Sequence, residues 1–390
     1  MSINTKYQIV ILGEEHPLKN EIIRLFNLHV TELGMNSDLI SFLSASNFYN
    51  NYESKAPTVA LYFGNAKKDF PDIDILEQLI KNGTYILPIV DDLQNYEKKV
   101  PKQLIEINGK NISESELEPI VSCILEALSL LRVSRRIFIS YKRSESSTVA
   151  IQLYERLEKA GFDVFLDTHS VRPGDNFQDE LWHRLVDTDV VVLLNTKGFL
   201  ESEWTTEEVA KASSMSIGIL QLVWPKHKPE RMSELSIMLS LKDVDFVGEK
   251  YENNSLLEED CLNLIVSTAE ALRARTLGAR QDSLITEFIT SARALKINTE
   301  LQPERFITID KGPDKELIIL PTVGVPHAFR YNESEELIKR LRTHKKSEAY
   351  LLYDHRNIRL KWLNHLYWLD RFLPLKSIKI TEIEKWLKGI

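Results

Sequence analysis

Trp204 and Glu208 stand four residues apart in the stretch Ser202-Glu203-Trp204-Thr205-Thr206-Glu207-Glu208. On a helix, that spacing puts both on one face. An aromatic plate beside a carboxylate suits a nucleoside. The flat ring stacks, and the carboxylate accepts hydrogen bonds from ribose hydroxyls. A carboxylate also stabilises the positive charge that develops on a sugar when a glycosidic bond breaks. A leaving group that is already a cationic pyridine departs neutral and needs no general acid, so one Glu can suffice. Glu207 points about 100° away around the helix and reads as solvated. The pair also fits a blander role, a surface carboxylate next to a core or interface aromatic.

The elements that must position this pair run from Arg136 to Trp224. An apolar strand, Ile137 to Tyr141, comes first. A second, Phe162 to Asp167, follows an intervening helix. The run Val190 to Leu194 is a third strand, and Ile217 to Val223 a fourth. Strands alternating with amphipathic helices predict a parallel sheet covered on both faces. Such sheets take ligands beyond the carboxyl ends of their strands. Ser140, Asp167, Asn195 and Glu208 all fall at or just past those ends.

Four pieces in this stretch carry a resemblance: FISYKR at 138–143, GFDVFLD at 161–167, the Pro173-Gly174 loop, and S-x-W-x-x-x-E from Ser202 to Glu208. In this order and spacing they resemble a bacterial Toll/interleukin-1 receptor (TIR) domain, over about a third of the chain. The resemblance implies a flavodoxin-like fold and cleavage of NAD+ between nicotinamide and ribose, with NAD+ as substrate and no cofactor. It implies Glu208 as the catalytic carboxylate. Ser140, Tyr141, Lys142, Arg143, Phe165, Asp167 and Trp204 would border the substrate. The loop from Thr168 to Phe177, with Arg172, Pro173, Gly174 and Asp175, would dock on a second TIR domain and complete the site. Thr205 departs from the family, where Cys is common, without touching this chemistry. A role in bacterial anti-phage defence is implied by the same resemblance. Two alternatives stand beside a hydrolase: a cyclase making a cyclic ADP-ribose signal, and a non-catalytic TIR scaffold that binds a partner protein or a signal nucleotide.

Composition narrows the rest. The chain has 390 residues, 43% of them hydrophobic, and a net charge of −8. An acidic chain lacks the basic face that phosphate backbones require, so no nucleic-acid binding is expected. Two cysteines, Cys123 and Cys261, provide neither a disulfide framework nor zinc spacing. His327, His344, His355 and His365 cluster late in the chain without metal-site spacing, so no metal is expected. No apolar run reaches the roughly 20 residues a membrane span needs, and residues 1–6 lack a signal peptide's apolar core. A cytoplasmic, membrane-free protein is the expectation.

The full reading is an α/β chain in parts. Residues 1–133 form an α/β domain, receiver-like or degenerate TIR-like. In a faint internal repeat, Ile75 aligns with Glu208 and Pro71 with Trp204, so a TIR-like first domain would lack the carboxylate. The pair Asp91-Asp92 could suggest a phosphorylation site, but no acidic cluster follows the first strand. Residues 134–254 form the TIR domain and 255–300 a helical connector, with a break expected at Leu277-Gly278-Ala279-Arg280. Residues 301–390 form a small α/β domain, a possible sensing or assembly module. There Thr322, His327, Asp354, His355 and Arg356 sit at strand ends, as a small-ligand pocket or as surface charges around a packing domain. An activating ligand or partner protein and TIR self-association complete the expected partners.

Overall fold

The computed structural model describes residues 7–54, 56–67, 69–166, 177–199, 215–227, 236–251, 255–313, 315–341 and 346–390. Three five-stranded sheets account for its strands. Residues 1–133 with 263–274 cluster as one compact unit, and 134–262 with 275–390 as another.

The first sheet contains β1 (Tyr7–Gly13), β2 (Ile40–Ser44), β3 (Thr58–Phe63), β4 (Tyr85–Val90) and β5 (Lys110–Asn111). Its order is β2-β1-β3-β4-β5, parallel throughout. The helices are α1 (Lys19–Glu32), α2 (Phe48–Asn51), α3 (Ile73–Lys81) and α4 (Leu117–Ala127). Val10, Leu12, Ala60 and Tyr62 pack against Phe48 of α2 and Ile75, Leu76 and Leu79 of α3. The opposite-facing Ile9, Ile11, Val59 and Leu61 are equally buried. Burial on both faces is why these strands read as continuous apolar runs rather than alternating ones. The sequence predicts a helix from Glu114 to Leu131, but α4 stops at Ala127, and Ser129 turns the chain with a φ of 60°. Lys99 Nζ lies 2.9 Å from Asp91 and 3.2 Å from Asp92, so that acidic pair is an ordinary surface ion-pair partner.

The second sheet contains β6 (Arg136–Ser140), β7 (Asp163–Leu166), β8 (Val190–Asn195), β9 (Gly218–Val223) and β10 (Ser236–Ser240), with α5 (Arg143–Lys159) and α6 (Phe177–Val186). Its order, β10-β9-β8-β6-β7, repeats the first sheet's order when each is numbered from its own first strand. It is parallel throughout. This is the flavodoxin-like order expected, with the direction of the crossovers reversing between β6 and β8.

One continuous helix, α7 (Glu259–Ala294), replaces the expected pair of helices. Gly278 is buried within it, as are Leu277 and Arg280 on either side. An interior Gly weakens a helix by about 1 kcal/mol relative to Ala, and buried packing on both sides outweighs that. Within the first unit, Arg273 of α7 is fully buried and donates to Glu126 at 2.7 Å and to the Arg132 carbonyl.

The third sheet is mixed. β11 (Glu300–Leu301), β12 (Ile307–Asp310) and β13 (Lys315–Pro321) are antiparallel neighbours; β13, β14 (Lys346–Tyr353) and β15 (Lys376–Lys379) run parallel. Ile285 and Phe288 of α7 cover one face with Leu387 of α10 (Ile383–Leu387). Tyr331 of α8 (Ala328–Leu341) and Leu366 and Leu369 of α9 (Leu360–Phe372) cover the other. The sequence predicts Thr381 as the cap of the terminal helix. It lies instead inside a short 3₁₀ turn, and Glu382 takes the capping position without a side-chain bond.

In the first unit, α1 is tied to α4 through His29. Its Nδ1 lies 2.9 Å from Glu32 and its Nε2 2.6 Å from Glu118. Burial alone would push the imidazole pKa down, but the two carboxylates raise it to about 9. A pKa above the unfolded value near 6.5 means that the stabilisation is full below about pH 6.5 and is lost as pH rises through 9. The contribution is on the order of 3 kcal/mol. The unfolding step that releases α1 is therefore expected to move to lower denaturant between about pH 6.5 and 9, and His29→Gln to abolish that slope.

Candidate active site

The site is built where β6 and β8 part. Ser140 ends β6 fully buried, and its hydroxyl has no hydrogen-bond partner among the described residues. Tyr141 follows, also buried. Lys142 is the residue before α5, with extended backbone (φ −89°, ψ 114°), and its carbonyl accepts from the N–H groups of Glu145 at 2.9 Å and Ser146 at 3.0 Å. Ser146 departs from helical geometry (φ −145°), so α5 is kinked directly after this turn. Arg143 opens α5 and is exposed.

Lys142 and Glu145 form an ion pair at 2.7 Å, and Glu145 also accepts the Gly198 backbone N–H at 3.1 Å. This joins the loop after β6 to the loop after β8 across the switch point. A Cβ on residue 198 would meet Lys142 Nζ and Glu145 Oε1, so a larger residue there would displace the ends of these two flexible side chains. Burial would raise the Glu145 pKa, but bonds from Lys142, Thr196 and the Gly198 N–H outweigh it and hold the carboxyl below its usual range.

Asn195 belongs to a buried polar chain. Its Nδ2 donates to Gln221 Oε1 at 3.1 Å, and Gln221 Nε2 donates to Ser236 Oγ at 2.7 Å. His227 Nε2 lies 3.2 Å from Asn195 Oδ1. The chain spans β10, β9 and β8 and, through His227, ties the loop after β9 to the end of β8. Glu145, Gly198, Gln221 and His227 were not singled out in the sequence. Only Glu145 carried a signal there, three residues after Lys142 at a helix start.

Phe165 is placed with a different set of residues. Its ring stacks on Phe138 at 5.2 Å, and the Arg184 guanidinium lies over it at 5.4 Å. With Arg136, Asp163, His183 and Trp362 it lines a cleft of about 240 Å³ that includes the amino ends of β6 and β7. Asp167, Arg172, Pro173, Gly174, Asp175, Trp204, Thr205, Glu207 and Glu208 lie outside the described residues.

The first sheet's switch point differs. Gly13 ends β1 with a φ of 87°, and its N–H donates to Asp72 Oδ2 at 3.0 Å. Asp72 itself adopts a left-handed conformation (φ 62°) before α3. Ile75, aligned with Glu208, is a buried core residue. A side chain of the first sheet's own domain thus bonds the end of β1.

Residues 137–258 match the family model described as TIR domain, so the chain carries a TIR domain at its middle. Over 75 residues it is 33% identical to a protein named "Probable 2' cyclic ADP-D-ribose synthase BdTIR" from Brachypodium distachyon. That match spans 19% of this chain and 34% of the relative. Among solved structures, the chain is similar to tagatose-6-phosphate ketose/aldose isomerase from Escherichia coli, at 11% identity and a TM-score of 0.19, covering 70% of this chain and 82% of that one. It is also similar to MurF from Acinetobacter baumannii, at 10% identity and a TM-score of 0.18, covering 87% and 92%. Likenesses that low carry no argument about this chain.

Because the Glu145 pKa is depressed, its stabilising effect is full above about pH 4.5 and is lost as pH falls through the lowered value. Amide exchange at Gly198, corrected for its intrinsic rate, is expected to quicken below about pH 4.5. Glu145→Gln should show the faster exchange already at neutral pH.

Proposed function

We propose that the chain cleaves NAD+ at the nicotinamide–ribose bond, with its TIR domain as the catalytic part. The observation that carries this reading is the TIR match over residues 137–258, which contains both the Ser140 strand end and the Trp204–Glu208 pair. In this reading Trp204 stacks on the substrate or packs beside it. Glu208 stabilises the cationic ribose as the C–N bond breaks. The bonding electron pair leaves with nicotinamide, which becomes neutral. Water adds to the ribose carbon and gives up a proton, yielding ADP-ribose. Lys142 is held by Glu145, so the cation beside the strand end has a fixed position.

A second reading shares that first bond cleavage and differs in what captures the ribose. Capture by a hydroxyl at the other end of the same molecule gives a cyclic ADP-ribose. The name of the Brachypodium relative favours it. Self-association through residues 168–177 and a bacterial defence role rest on the resemblance of the motifs, and a cytoplasmic setting on composition. Among the described residues, no helix is long and apolar enough to cross a membrane.

The test is NAD+ consumption by purified full-length protein with a molecular crowder, wild type beside Glu208→Gln and Glu208→Ala, with chromatography of products. Wild-type turnover is expected, falling at least roughly a hundredfold in both variants at unchanged oligomeric state. ADP-ribose as product favours the hydrolase, and a cyclic isomer the cyclase. Equal turnover in wild type and variants would remove Glu208 from the mechanism.

A further inference from the structure

A cleft at the carboxyl edge of the third sheet has the chemistry of a second ligand site. Thr322, Asp354 and Ile380, each one residue past the end of β13, β14 or β15, all line it. This is the edge where parallel strands place ligands. The long helix α7 adds Arg280 and Ser283, and Ser216 adds a third hydroxyl beside those of Ser283 and Thr322.

Of the charged side chains that line it, two are guanidinium groups and one is a carboxylate. Arg280 is only 9% exposed, and it donates to the carbonyls of Thr188 at 2.8 Å and Val186 at 2.6 Å. Carbonyl bonds fix the group in place. Arg356 donates from Nε to Asp354 at 2.8 and 3.0 Å and from Nη2 at 2.6 Å. Its Nη1 edge makes no hydrogen bond among the described residues, and its side chain is 60% exposed. A guanidinium with one edge fixed and the other available is suited to a tetrahedral oxyanion. Gly324, with a φ of 84°, lets the loop after β13 turn against the opening.

Size selects within that class. The interior is about 60 Å³, enough for one compact anionic group and too small for a nucleoside. Its mouth is open to solvent, so a larger body can remain outside while the anionic group enters. We propose that this cleft binds a phosphate group, as free phosphate or as the end of a phosphate monoester. Met215 and Ser216 also line it, and they directly follow residues 201–214, which contain Trp204 and Glu208. The ligand would therefore bear on the chain next to the proposed catalytic segment, the position of a regulator. Binding itself does not depend on NAD+ cleavage, so the two proposals fail separately.

The experiment is calorimetric titration of the full-length protein in phosphate-free buffer. The probes are inorganic phosphate, ribose 5-phosphate and, as the neutral control, ribose. Saturable binding of ribose 5-phosphate without binding of ribose is expected. Equal binding of inorganic phosphate identifies the free ion as sufficient; tighter binding of the ester identifies a larger ligand. Arg356→Ala should weaken binding roughly tenfold or more. Ser283→Glu, which adds a carboxylate to the cleft, should abolish it, with circular dichroism unchanged in both variants. Ligand should slow hydrogen exchange at 215–217 and 354–356. The proposal is overturned if neither phosphate probe binds, if both variants bind as wild type does, or if those segments stay unchanged.

Discussion

A parallel sheet cannot be closed by hairpins, so each strand must hand the chain to a crossover, and where the crossovers diverge a crevice opens at the carboxyl ends. That constraint shapes the first two sheets. They share one strand order, and in both the divergence falls between the first and third strands. What fills the crevice separates them. In the first sheet Asp72 closes onto the Gly13 N–H. In the second, a buried serine hydroxyl ends β6, and a lysine–glutamate pair is held against a glycine N–H. The same topology thus gives a site-like arrangement in the second sheet and a self-filled one in the first.

Buried charges of α7 bond to nearby groups in each unit. In the first, Glu270 accepts from Ser122 at 2.9 Å, and Arg273 pairs with Glu126. In the second, Arg280 holds the carbonyls at the end of α6 and just beyond it. Buried ions are expensive unless bonded in this way, and loss of one partner strands the other. Such contacts favour one arrangement of the helix within each unit.

Much of the fold was legible because both faces of the central strands are apolar. β3, α3, β4 and α9 fall where the apolar runs and turn residues put them. The strands that escaped notice are short or half-exposed. β2 carries two serines, β10 is an edge strand with exposed alternate positions, and β11 has two residues. Gly278 misled in the other direction, because a break signal read locally cannot register the packing that overrides it. At the site, Lys142 was visible as part of a motif. The chain from Asn195 to Gln221 and His227 was not, because its members lie 26 and 32 residues apart and only the β8–β9 pairing and the loop after β9 bring them together.

The central claim is that NAD+ is bound at the carboxyl ends of the second sheet rather than at either of the other two. Hydrogen exchange of full-length Glu208→Gln protein, with and without NAD+, tests it without turnover. Slower exchange with NAD+ at 140–145 and 195–199 is the predicted result. Slowing confined to 13–16 and 63–65, or to 322–324 and 354–356, with no change in the second sheet, would contradict it.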